Sequence, residues 1–141
     1  MQSSGVRSLW TVLPALAVLG FAAAVAGCAS AGPVRPVAVS EMKSVAGTWK
    51  GLAYSRDPAQ ETIELTIHED GSYDVVSSGQ TPGESRSKGK IELRDGRLIL
   101  QGEKGRGLGT VLSSPGGDRV MNIEATLSDN SILSTRLWPS R

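Results

Sequence analysis

The stretch Thr62-Ile63-Glu64-Leu65-Thr66-Ile67-His68-Glu69-Asp70-Gly71 decides the fold. Its residues alternate strictly. Ile63, Leu65 and Ile67 fall on one side and Thr62, Glu64 and Thr66 on the other, which is the period of a half-buried β-strand. Asp70-Gly71 then supplies a hairpin turn, and residues 73–77 return as a second strand. The same grammar continues downstream. Lys90-Ile91-Glu92-Leu93-Arg94 alternates, Asp95-Gly96 turns, and residues 97–101 come back. Residues 108–113 follow, bounded by Pro115-Gly116-Gly117. Residues 120–127 place Met121, Ile123, Ala125 and Leu127 on one side, and Asp129-Asn130-Ser131 turns the chain into residues 132–138. Upstream, residues 47–55 form the first strand.

This makes about eight short strands at regular spacing with glycine-rich turns, the signature of a barrel or sandwich. No amphipathic helical period appears after residue 45. The turns are short enough to join sequence neighbours, which favours an up-and-down meander, and closure removes the exposed sheet edges. The expected fold is therefore all-β, a small up-and-down antiparallel β-barrel of about eight strands over residues 45–141. The polar run 77–88, SSGQTPGESRSK, reads as either a mobile loop or a rim segment. The run 102–109, GEKGRGLG, superficially suggests a phosphate cradle. It opens no helix and belongs to no βαβ unit, so it reads as a hairpin tip.

A different pattern precedes the strands. Arg7 is the one charge of a short leading segment, and residues 9–26, LWTVLPALAVLGFAAAVA, carry none. Small residues follow. This is the order of a secretory signal. Its end, Val25-Ala26-Gly27-Cys28, resembles the lipobox of bacterial lipoproteins. The resemblance implies a signal peptide over 1–27, cleavage before Cys28 and lipidation of the Cys28 thiol, including palmitate-type acylation. Several acyl chains on one residue anchor stably, at roughly 0.8 kcal/mol per buried CH₂. An uncleaved apolar helix and a plain secreted protein are the competing readings. Ala29 stands where Asp resembles an inner-membrane retention mark. The implied location is the cell envelope, on the outer membrane facing the periplasm or at the cell surface. Residues 28–44, rich in Ala, Ser, Pro and Val, read as the lipidated terminus and an extended linker.

Composition excludes several classes. The 141 residues hold 15 basic and 14 acidic side chains. Removal of residues 1–27 takes only Arg7, leaving 14 of each sign. A balanced surface gives no pull toward nucleic acid. One cysteine excludes an intrachain disulfide, and one histidine excludes a His-pair zinc site. His68 sits on the polar side of its strand with no assignable catalytic partner. No metal, no cofactor and no enzymatic activity is expected.

Two segments carry a further resemblance. Gly47-Thr48-Trp49 looks like the Gly-x-Trp opening of the calycins, the lipocalins and fatty-acid-binding proteins. Thr135-Arg136-Leu137-Trp138 resembles the last strand of fatty-acid-binding proteins. In lipocalins an Arg near the C-terminal end packs across the early Trp, so the resemblance implies a Trp49–Arg136 pair. Trp49, Arg136 and Trp138 are thus the ligand-binding or barrel-closing residues. Trp138 stands where the fatty-acid carriers have a Tyr hydroxyl, so carboxylate binding does not carry over.

A barrel of eight strands is either filled by side chains or holds one small ligand. The first case suits an envelope protein-interaction module, such as a protease or lysozyme inhibitor or an assembly accessory, acting through residues 29–44 or 77–88. The second suits a lipid-anchored binding protein for a small apolar or amphipathic molecule.

Overall fold

The computed structural model describes residues 32–55, 60–79 and 83–141. The signal-like segment 1–27 and Cys28 lie outside the described residues. Nine strands run in chain order: β1 (Arg35–Val37), β2 (Gly47–Tyr54), β3 (Glu61–Ile67), β4 (Ser72–Ser78), β5 (Glu84–Arg94), β6 (Arg97–Gly102), β7 (Gly105–Ser113), β8 (Arg119–Leu127) and β9 (Ile132–Pro139). A single 3₁₀ turn, Met42–Ser44, precedes β2. From β2 to β9 each strand pairs antiparallel with the next, and β9 pairs back onto β2 through Lys50↔Trp138 and Leu52↔Arg136. The result is a closed, eight-stranded, up-and-down barrel. The all-β meander expected from the alternation is the observed fold.

The turns follow their residues. Asp95 and Gly96 both take positive φ, 52° and 74°, as a tight hairpin between β5 and β6 requires. Asp70 and Asp129 each accept hydrogen bonds from the backbone N–H and hydroxyl of a serine two residues on, Ser72 and Ser131. These Asx-type contacts fix the β3–β4 and β8–β9 turns. Both hold the aspartate carboxyl below its ordinary pKa, the side-chain hydrogen bond being the larger cause.

Residues 32–44 are not a free tether. β1 pairs with the end of β7, Pro36 opposite Leu112. It is an edge strand, where proline's missing donor costs nothing. Val39 donates its N–H to the Gly96 carbonyl at 2.9 Å. Val39 and Val45 are buried, and Met42 packs against the core. This segment stops one end of the barrel. The linker expectation for 28–44 fails over its described part, because Val39 and Met42, with no sustained period around them, pack against the core.

Of the two readings of the polar run 77–88, the structure gives the rim segment. β4 continues to Ser78 and β5 starts at Glu84, with Val76↔Arg86 and Ser77↔Ser85 paired. The strands are invisible to a hydropathy period because both of their faces are polar near the rim.

Candidate functional site

Alternation assigns each strand an inner row, and the inner rows are unequal along the barrel axis. At the stopped end they carry bulk. Trp49, Ile67, Leu98, Val111 and Met121 are buried there together with Val45. At the other end, β5 to β7 offer Ser85, Ser87, Gly89, Gly102, Gly105 and Gly107. A cavity of about 310 Å³ opens at this end. Its deeper wall is apolar, with Ile63, Leu65, Val75, Leu100, Ile123, Ala125, Leu133 and Leu137. Its mouth is polar, with Glu61, Ser77, Ser85 and Lys104. The Lys104 ammonium donates to the Ser85 hydroxyl across the rim. The interior is thus filled at one end and hollow at the other, and the hollow falls within the roughly 300–1,000 Å³ of small-molecule sites.

Besides the serines, Tyr73 and Thr135 bring hydroxyl groups to the inner wall. Tyr73 is buried, with its ring against Gly89 and Gly102, which face each other across β5 and β6. Burial pushes its phenol pKa above the ordinary value, and the Glu103 charge adds to this. Thr135 is 8% exposed. Its Oγ1 is covered and has no hydrogen-bond partner among the described residues.

The residues expected to bind or close the barrel are divided by strand parity. Trp49 points inward and is 3% exposed, and its Nε1 donates to the Val45 carbonyl at 2.9 Å. Gly47, which opens its strand, has φ +123°, a backbone region that favours glycine. The Trp49–Arg136 pair does not form. Thr135 and Leu137 take the inward positions of β9, so Arg136 lies between them on the outer face. There its Nε donates to Asn122 Oδ1 at 3.3 Å. Trp138 is likewise outward, opposite Lys50, and 47% exposed. Neither residue reaches the cavity.

The guanidinium at Trp49 belongs to Arg119, 5.9 Å from the ring centre. Its Nη1 also donates to the Ser44 carbonyl at 2.6 Å. It therefore fastens the stopping segment to the barrel floor. Arg119 carries no motif, and only the inward parity of β8 could have marked it.

His68 is exposed and paired with Asp74, Nε2 to Oδ2 at 2.8 Å, on the outer surface. Among the described residues there is no group of three or more His, Cys, Asp or Glu that could hold a metal. The run 102–109 holds the hairpin turn between β6 and β7 and part of the cavity lining. Gly102, Lys104, Gly105, Arg106 and Gly107 of this run line the hollow.

The site is therefore the hollow end of a closed antiparallel barrel. No family model matches this sequence, and no curated protein matches it. Among solved structures, the chain is similar to a de novo designed fluorescence-activating β-barrel. The two are 22% identical with a TM-score of 0.47, over 72% of this chain and 99% of the designed one.

Proposed function

We propose that this chain is a lipid-anchored protein of the cell envelope whose barrel binds a small apolar or amphipathic molecule at its hollow end. The observation that carries the reading is the cavity of about 310 Å³, apolar in its depth and polar at its mouth. An interior filled along its whole length would have suited the interaction-module alternative. The reading is of a binding protein and asks no chemistry of the site. Kinship with the calycins would rest on Gly47-x-Trp49 at the head of the first barrel strand and on the closed meander. It gains nothing from Arg136. The anchor is argued from Val25-Ala26-Gly27-Cys28, and the outer membrane from Ala29. Balanced charge speaks against a nucleic-acid partner.

Native mass spectrometry of the full chain released from membranes tests the binding. We expect a one-to-one adduct with a co-purified molecule or with added 1-octanol, abolished by Ala125→Phe, which fills the hollow. A protein without adduct under both conditions would overturn the binding reading. Cys28→Ala tests the anchor: we expect loss of lipid labelling and accumulation of uncleaved precursor. Normal labelling of that variant would remove the lipobox.

A further inference from the structure

The wall of the hollow contains a hydroxyl that the protein leaves unused. Thr135 sits midway along β9, on the inward row between Leu133 and Leu137, and all three line the cavity. A buried hydroxyl without a partner costs stability, and valine would occupy the same volume without that cost. Threonine's methyl and hydroxyl branches exchange by rotation about the Cα–Cβ bond. That rotation can turn Oγ1 from its covered position toward the space beside it, where it could donate to or accept from a guest.

The charges of the barrel complement this. No cation stands on the deep wall among the described residues. Arg136 points outward, Arg119 is held against Trp49 at the stopped end, and the two cations that line the cavity, Lys104 and Arg106, are both exposed at its mouth. A carboxylate drawn into the apolar depth would lose its water without gaining a counter-charge. A neutral hydroxyl or carbonyl would lose less and would satisfy Thr135.

We infer that the hollow selects neutral amphipathic molecules, with an apolar body and one uncharged hydrogen-bonding group at the buried end, over carboxylates of the same length, and that Thr135 recognises that group. This rests on the ligand-binding reading above and adds the chemical class.

The test uses the full chain in lipid nanodiscs, titrated with 1-octanol or octanoate at pH 7. Binding is read from the methyl NMR signals of Ala125 and Leu133. The wild-type protein should bind octanol more tightly than octanoate. Thr135→Val should weaken octanol about three- to tenfold, the worth of one hydrogen bond, and leave octanoate unchanged. Thr135→Ser, which keeps the hydroxyl, should retain the preference. Equal binding of the two ligands, or octanol affinity untouched in Thr135→Val, would overturn the inference while leaving a binding barrel. If neither ligand moves either signal in the wild-type protein, the binding reading itself falls.

Discussion

Tyr73 lies against Gly89, the residue paired with it on the neighbouring strand, so closely that a Cβ at position 89 would stand 2.7 Å from the phenol Cζ. The same Cβ would come within 2.2 Å of the Gln101 carbonyl oxygen. The ring therefore occupies the place of the missing side chain, an aromatic laid over a strand glycine. Gly89→Ala must displace either the ring or the backbone of β6. We expect a loss of about 1–3 kcal/mol, as for an overpacked core, measured by urea unfolding. An unchanged midpoint would mean that the ring is free to move away.

Arg119 and Arg136 should separate cleanly. Arg119→Ala removes the stacking on Trp49 and the hydrogen bond to the Ser44 carbonyl. A loss of about 1–2 kcal/mol is expected from these two contacts. Arg136→Ala removes an exposed contact to Asn122 and should change stability by less than about 0.5 kcal/mol. The same unfolding experiment on both variants decides the matter. The reverse order would restore Arg136 as the closing residue.

Thr135→Val should make the protein more stable. It replaces an unsatisfied buried hydroxyl with a methyl of the same shape, and a gain of about 1 kcal/mol is the expected size. Differential scanning calorimetry without ligand measures it as a raised Tm. Stability gained where binding is lost is the trade-off of a functional site.

Tyr73 also sets an alkaline limit. Its folded pKa is raised by burial from 10.0. Below that value the phenol is neutral in both states and favours neither. As pH rises past about 10, the unfolded phenol ionises first, so the unfolded state gains and stability falls until the folded phenol ionises too. Tyr73→Phe should lose less stability than the wild-type chain between pH 9 and 11, in unfolding titrations at about these two values. Parallel losses in both proteins would show that other groups dominate the alkaline limb.

The strands were legible because their signal is local. Ile63, Leu65 and Ile67 alternate, and Asp70-Gly71 and Asp95-Gly96 turn, whatever surrounds them. The stopped end was not legible, since Val39 and Val45 stand in short apolar stretches without a sustained period, and only the finished barrel gives them something to cover. Arg136 was misassigned for a related reason. Ile132 to Trp138 has apolar residues at both parities, so the sequence left open which row faces inward, and pairing with β2 decided it. The cavity was hidden because its lining comes from seven strands and no local pattern marks it. Gly102, Gly105 and Gly107 of GEKGRGLG are among its lining residues.

The described chain begins beside the β7–β8 turn, where a Cβ on Gly32 would lie 2.9 Å from Pro115 Cγ, and it runs along β7 before stopping the barrel floor. Any attachment made through earlier residues therefore pulls on that floor, while the lip formed by Glu61, Ser85 and Lys104 looks the opposite way. On the reading proposed above, cargo would enter at the end of the barrel remote from the point where the described chain begins.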